Sequence, residues 1–234
     1  MLTWNLFHGR AQPPAGRPLL DEFGELLRRE PWDIALLQEA PPRWFGRLGA
    51  DGAMVLTSRN FGSALRTWVA DRKPDLIKSN EGGSNQILVR GGWRIATTRR
   101  LTLARFPERR RLLWAQVEHE GGSSVAIANL HASANLPRKA ARELLRAATW
   151  CEDERLVFGG DLNLRPAEDP ATYVELERRH GLASPTASTA IDHLLARGLE
   201  LIEPPHQLAP ERREDVAGFL LSDHAPVTAV FAMP

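Results

Sequence analysis

The stretch that most constrains this chain is Leu156-Val157-Phe158-Gly159-Gly160-Asp161-Leu162-Asn163. A short apolar run ends in two glycines, an acid and an amide. Leu-Val-Phe predicts a buried strand, and Gly-Gly predicts a sharp turn of the backbone at its end. Asp161 and Asn163 stand two residues apart, so extended geometry points both the same way. A carboxylate and an amide facing one spot at a strand tip suit a site better than a core. A polar turn is the plainer reading, because Asp and Asn also favour turns through local hydrogen bonds. The rest of the chain decides between the two.

The same pattern of an apolar run with a polar tip recurs. Leu2 to Phe7 is a strand candidate carrying Asn5, and Asp33 to Glu39 is a second buried strand, again tipped by an acid and stopped by Pro41-Pro42. Between them Leu19, Leu20, Phe23, Leu26 and Leu27 fall at helical spacing, and Pro31 ends that helix. Trp44 to Gly49 suggests a short helix and Ala53 to Thr57 a strand. Four strand-like runs then follow closely: Gln86 to Arg90, Ile95 to Leu103, Leu112 to Val117 and Val125 to Leu130. Gly91-Gly92, Pro107 and Gly121-Gly122 separate them, which predicts an antiparallel meander. Leu136 to Trp150 returns to helix, with Arg138, Arg142 and Arg146 as a solvated face. A helix over Ala171 to Arg179 ends near Gly181, and strands over Ala190 to Leu195 and Pro226 to Phe231 close the chain. No Gly/Ser-rich linker divides the 234 residues. The expectation is one domain, residues 1–234, built as an α/β sandwich of two sheets face to face with helices outside.

Composition enters as a set of exclusions. Hydrophobic residues at 43% and charged residues at 25% are ordinary for a globular protein. A formal net charge of +1 carries no polyelectrolyte signature, so attraction to nucleic acid must come from a local patch. The one cysteine, Cys151, excludes an intramolecular disulfide framework. No apolar run reaches membrane-spanning length, so no membrane insertion is expected. Met1-Leu2-Thr3-Trp4-Asn5 runs straight into a strand without a signal-like flank, which favours a cytoplasmic location unless a leader has been removed. We expect a monomer.

The polar residues at strand ends form a set: Asn5, Glu39, His131, Asp161 with Asn163, Asp192 with His193, and Asp223 with His224. One such tip is a turn, but six are hard to explain as turns. Buried acids are costly unless they are paired or bind a metal. Carboxylate and amide oxygens are hard ligands that suit Mg²⁺, with Mn²⁺ or Ca²⁺ as alternatives, rather than zinc. Histidines among them can move a proton or hydrogen-bond an anionic centre. His193 alternates away from Asp192 on a strand and is expected to be structural.

This series resembles the endonuclease/exonuclease/phosphatase family, which includes DNase I, exonuclease III-type repair enzymes, sphingomyelinases and inositol polyphosphate 5-phosphatases. The pieces run in family order: Trp4-Asn5, Leu37-Gln38-Glu39, Asn129-Leu130-His131, Gly159-Gly160-Asp161-Leu162-Asn163, Ile191-Asp192-His193 and Ser222-Asp223-His224. Each alone is weak; together they span nearly the whole chain. The resemblance implies a four-layered αββα sandwich with mainly antiparallel sheets, a divalent cation, and hydrolysis of a phosphoester by an activated water. It implies that Glu39 is the main metal-ligating carboxylate, with Asn5 beside it and Asp223 as a second acid. Asp161 would position or deprotonate the water, and Asn163 would hold a phosphate oxygen. His224 would contact the scissile phosphate, oriented by Asp192, and His131 would be a second acid or phosphate contact.

Two departures from the family pattern bear on substrate. The DNase I branch pairs a further glutamate with the histidine that His131 matches; here the nearest candidates are Glu81, Asn85 and Gln86. Repair-type members carry a tyrosine in their middle strands, whereas Tyr173, the only tyrosine, follows the Asp161 motif. The basic stretch Arg94 to Arg111 is either a solubilising sheet edge or a phosphate-backbone surface, and Arg111 is the candidate contact to the scissile phosphate. The expected activity is an endonuclease acting on DNA. The alternative is a phosphodiesterase or phosphatase of a lipid or small phosphorylated substrate, sphingomyelinase-like or inositol phosphatase-like.

Overall fold

The computed structural model describes residues 1–57, 63–77, 82–106 and 108–233. In chain order, thirteen strands are β1 (Leu2–Asn5), β2 (Ala11–Gln12), β3 (Ile34–Ala40), β4 (Asp51–Leu56), β5 (Ser84–Val89), β6 (Trp93–Ala104), β7 (Arg110–His119), β8 (Ser124–His131), β9 (Leu156–Asp161), β10 (Asp192–Arg197), β11 (Glu200–Gln207), β12 (Leu220–Leu221) and β13 (Val227–Ala232). The helices are α1 (Leu20–Arg29), α2 (Ala64–Arg72), α3 (Pro74–Ile77), α4 (Pro137–Trp150) and α5 (Pro170–His180).

The strands form two large sheets and one small one. A six-stranded sheet has the order β11-β13-β1-β3-β5-β4, and a five-stranded sheet the order β10-β9-β8-β7-β6. β1 with β3 and β8 with β9 run parallel; the other pairs in these sheets are antiparallel. Strand alternation then makes the layers. Ile34 and Leu36 of β3 meet Leu113, Val125 and Ile127 in a core between the sheets. The residues between them, Ala35 and Leu37, face outward onto Phe23, Leu26 and Leu27 of α1. Ala126, Ala128 and Leu130 of β8 likewise face Ala140, Leu144 and Ala147 of α4 and Leu176 of α5. Central strands buried on both faces have to be apolar throughout, which explains the Ile-Ala-Leu-Leu and Val-Ala-Ile-Ala runs. The result is the expected αββα sandwich.

Four details differ from the sequence reading. β5 leaves the meander: it pairs with β3 and β4 in the first sheet, and only β6, β7 and β8 form consecutive antiparallel hairpins. Apolar runs alone do not say which sheet a strand joins. Gly159 and Gly160 do not turn the chain; they pair with Leu194 and His193 inside β9. Their role is space. A Cβ at Gly160 would lie 2.0 Å from the Leu130 carbonyl oxygen, and one at Gly159 2.5 Å from that of His193. The segment after Pro41 is a 3-10 turn over Pro42–Trp44 in place of a helix over Trp44 to Gly49. β11 was not foreseen: it is a bulged edge strand containing Pro204 and Pro205, residues that edge strands tolerate and central strands do not.

The interface between the sheets is apolar except at one end. There Gln38 Nε2 donates to Asn129 Oδ1 at 2.8 Å, and Asn129 Nδ2 donates to the carbonyls of Leu37 at 3.0 Å and Gln86 at 2.7 Å. Those carbonyls sit where the β3–β5 ladder shifts register between Leu37 and Ala40. The bulge frees backbone acceptors and the Asn129 amide satisfies them. Asn129→Leu strands these groups in the core, so it is expected to destabilise the fold by about 2–4 kcal/mol. Urea unfolding of the variant against the parent protein measures this; a loss under about 1 kcal/mol contradicts it.

Candidate active site

The rim beside this amide bridge collects the sequence-predicted residues. β1, β3, β8 and β9 all end there, bringing Asn5, Glu39, His131 and Asp161; β10 begins there with Asp192. Ser222-Asp223-His224 is tied onto the same rim. Ser222 Oγ donates to the Asn5 carbonyl at 2.6 Å, the His224 amide donates to Ser222 Oγ at 3.0 Å, and Trp4 Nε1 donates to the His224 carbonyl at 2.9 Å.

Asp161 is the centre of the group. Its carboxylate is 2% exposed and accepts from Asn5 Nδ2 at 2.9 Å and from the Asn163 amide at 3.1 Å. His131 Nε2 stands 3.4 Å and His224 Nε2 3.9 Å from the same oxygen, Oδ2. Asn163 does not project in register with Asp161, because the chain turns left-handed at Asn163 (φ 49°). Its side chain donates to the Ala132 carbonyl at 3.2 Å and is half-buried. The polar-turn reading of this stretch is present in the structure, since the Asn163 backbone caps the Asp161 carboxylate, while the same-direction reading of the two side chains is not.

Electrostatics separates the roles. Burial and the negative charge of Asp192 push the Asp161 carboxyl up to about 7, against the pull of His224 and Asn5. Burial disfavours charge on His224, but the hydrogen bond and charge of Asp192, with Asp161 and Asp223 behind it, raise the imidazolium to about 10. The pair is short, His224 Nδ1 to Asp192 Oδ2 at 2.8 Å. His131 goes the other way. Burial, then Arg110, His224 and His8, hold it well below its ordinary value, so its ring is neutral.

Glu39 and Asp223 differ from these buried groups. The Glu39 side chain is 24% exposed and that of Asp223 41%, so both are open to solvent at the rim. Glu39 Oε1 stands 3.9 Å from His131 Nδ1, and Asp223 Oδ1 3.9 Å from His224 Nε2. Among the described residues, Asp161, Asp192 and His224 bring possible ligand atoms within 4.8 Å of one another. Within it His224 Nδ1 is already bonded to Asp192, and a protonated imidazole offers no lone pair. The other oxygens that could hold a cation are those of Glu39, Asp223 and Asn5. This donor set suits a hard divalent ion.

Arg111 lies one residue beyond the last paired rung of β7 and β8, Leu112 with Leu130, which places it opposite His131. It is half-buried, and its guanidinium makes no hydrogen bond or ion pair among the described residues. Beneath it Asn85 Nδ2 donates to the Arg111 carbonyl at 2.9 Å, and Asn85 Oδ1 is buried without a partner. Glu81 lies outside the described residues, and Gln86 Nε2 donates to Ser84 Oγ. Of the other arginines, Arg99 stacks on Trp114 and Trp150 at 4.1 and 4.7 Å, and Arg94 pairs with Glu118. They stabilise the β6 edge. Tyr173 donates to the Leu164 carbonyl at 2.7 Å and is a core residue.

Residues 2–224 match the model of the endonuclease/exonuclease/phosphatase family. The chain belongs to that family. Among solved structures, an endonuclease/exonuclease/phosphatase from Beutenbergia cavernae superposes with a TM-score of 0.71 at 17% identity, covering 99% of this chain and 70% of that one. A mannosyl-6-phosphatase from Bacteroides thetaiotaomicron gives 0.68 at 13%, covering 99% of each. D. rerio TDP2 complexed with single-strand DNA product gives 0.67 at 14%, covering 99% and 97%. No curated protein sequence matches significantly. At these identities the likeness establishes the fold, which the family uses for phosphoester hydrolysis on several kinds of substrate.

Sequence reasoning missed three charged or ionisable groups of this family site. Arg10 lies over the Phe7 ring at 3.7 Å, close enough for Glu39 and Asp223 to act on its charge. Arg110 is buried and acts on His131. His8 Nε2 stands 3.1 Å from Glu39 Oε2. Only the position of His8 and Arg10 just after the Asn5 strand pointed to them. His193, by contrast, is a core residue: Nδ1 accepts from the Thr186 amide and Nε2 donates to the Ala190 carbonyl, both at 3.0 Å. Burial lowers it to about 4. The unfolded chain takes up this proton below about 6.5 and the fold resists it. The stabilisation is complete above about pH 6.5 and is lost as pH falls toward 4. Between about pH 7 and pH 4.5 the parent protein is expected to lose more stability than His193→Gln. Equal losses in urea unfolding contradict this.

Proposed function

We propose that this chain is a divalent-metal-dependent phosphodiesterase, and that DNA is its substrate. One observation carries the reading: the buried Asp161 carboxyl, near neutrality in pKa, lies between Asn5, His131 and a protonated His224 held by Asp192. Glu39, with Asn5 and Asp223 beside it, would hold the cation, for which Mg²⁺ fits the oxygen donors and Mn²⁺ or Ca²⁺ also suits them. When bound, the cation would withdraw charge from a phosphate oxygen and ease deprotonation of water.

The protein's own groups supply the rest. Asp161, poised near 7, accepts the proton of the attacking water. His224 stays cationic at neutral pH and lies where negative charge grows on the phosphate, with Asp192 fixing the ring. His131 is neutral and serves as a hydrogen-bond donor to phosphate rather than as an acid. Asn163 spends one amide N–H on Ala132 and keeps the other for a phosphate oxygen. Arg111, opposite His131, offers a cation to the scissile phosphate.

DNA is favoured by Arg111 of β7, placed opposite His131, and by the likeness to the TDP2 complex with single-strand DNA. A second reading has its own support. α2 and α3 expose Leu65, Trp68 and Leu76, with Arg72 stacked on Trp68 at 4.4 Å, a surface suited to lipid. The phosphatase neighbour similarly supports a small phosphorylated substrate.

Plasmid DNA, incubated with Mg²⁺ or Mn²⁺, is expected to be nicked, and excess EDTA to stop the reaction. Absence of nicking while phospholipid vesicles or a chromogenic phosphodiester are cleaved rules out the DNA reading, and full activity in EDTA rules out the metal. Asp161→Asn and His224→Ala should each lower kcat by about 10³-fold while leaving the melting temperature within a few degrees. Near-parent turnover in either variant overturns its role.

A further inference from the structure

Glu39 is the carboxylate on which the metal-dependent reading rests most heavily, yet little holds it. It sits on a left-handed residue (φ 48°) at the β3 bulge, its side chain is partly exposed, and Oε1 is 3.9 Å from its nearest cationic-capable neighbour, His131 Nδ1. The other oxygen, Oε2, faces His8 Nε2 at 3.1 Å.

His8 is placed with care for a residue with no role in the hydrolysis described above. It lies in the 3-10 turn Phe7–Gly9, with φ 54°, directly after a second left-handed residue, Phe7. Such backbone is unfavourable for non-glycine residues and persists only where the surroundings impose it. Here the constraints are visible. The Phe7 amide donates to Asn5 Oδ1 at 3.0 Å, Leu6 donates to the Gln38 carbonyl at 2.8 Å, and Gly9 donates to Leu6 at 2.7 Å. Gly9 lies so close to Trp44 that a Cβ there would fall 2.5 Å from the indole. Across the ring, a Cβ on Gly83 would sit 3.1 Å from His8 Cε1. The turn therefore presses a nearly buried imidazole, 12% exposed, between Gly83 and Glu39.

His193 is engaged differently from His8. That core histidine has both nitrogens engaged by backbone groups. His8 Nδ1 is buried and makes no hydrogen bond. The polar groups that the His8 ring is brought against are the Glu39 carboxylate and the Gly82 backbone.

We infer that His8 is a positioning residue for the cation site: its Nε2 edge, 3.1 Å from Glu39 Oε2, confines that oxygen and so limits the rotation of the carboxylate, leaving Oε1 for the cation. Partners of this kind orient metal-ligating carboxylates, and losing them weakens metal binding by about 10- to 100-fold. The inference rests on the assignment of Glu39 as a metal ligand.

The test is a titration of the metal-stripped protein with Mg²⁺ and, separately, Mn²⁺ by calorimetry, comparing the parent with His8→Ala and His8→Gln. Glutamine places an amide N–H near the position of Nε2. The expected result is metal binding about 10- to 100-fold weaker in His8→Ala, largely restored in His8→Gln, with both variants melting like the parent. Unchanged affinity in His8→Ala overturns the role. Equal weakening in both variants overturns the polar contact as its basis, as does a loss of affinity matched by a fall in melting temperature. Absence of metal binding by the parent would instead remove the metal-dependent reading itself. A Glu39→Gln control separates the cases: it should abolish the binding that His8→Ala only weakens.

Discussion

The buried amide bridge between Gln38 and Asn129 sets the geometry of everything that performs chemistry. Both side chains are fully buried, and neither can turn to water. A buried amide left without partners costs about 1–3 kcal/mol for each group, so the sheets are held at the one separation that satisfies Gln38, Asn129 and the carbonyls of Leu37 and Gln86 together. An apolar interface tolerates sliding far better than a hydrogen-bonded one. The chemistry begins immediately beyond the bridge: Glu39 follows Gln38, and His131 lies two residues past Asn129. Gly160 passes beside it, where a Cβ would come within 3.1 Å of both Asn129 Oδ1 and Gln38 Nε2. The Asp161 carboxylate is thus delivered to the rim by a strand that fits only because it lacks a side chain at that point.

The rim is costly to build, and the costs point one way. Seven described non-glycine residues have a positive φ, and five of them, Phe7, His8, Glu39, Asn163 and Ser222, lie here. Strain gathered at one rim is the usual mark of a functional site. Charge is concentrated as well. Asp161, Asp192, Glu39 and Asp223 act on one another or on His224, and the His224 imidazolium and Arg10 offset part of their negative charge. In the proposed function, a cation held by Glu39 with Asn5 and Asp223 would offset the rest and favour an anionic phosphate.

Much of this was legible in the sequence because the polar tips stand out against apolar runs. β3 and β9 are apolar on both faces, so an acid at their ends has no packing role and signals itself. The histidine–acid pair was legible for a different reason, namely its match to a family order spanning residues 2–224. Three features were not legible. Gly159-Gly160 resembled a turn because the sequence does not show how close neighbouring strands approach. β5 resembled the next strand of a meander because its two apolar faces fit either sheet. His8 had no partner in sequence, since Glu39 lies thirty-one residues away and reaches it only through the β1–β3 pairing.

The residue order settles the layers and the candidate polar tips: runs buried on both sides form internal strands, and the carboxylates, amides and histidines at their ends form the set from which a site can be drawn. The tertiary structure alone decided which of those groups touch and in what state of charge. Asp161 is raised and His131 is neutral because burial disfavours charge, while His224 is cationic because Asp192 lies 2.8 Å away. Such quantities depend on distance and exposure, which no spacing along the chain encodes.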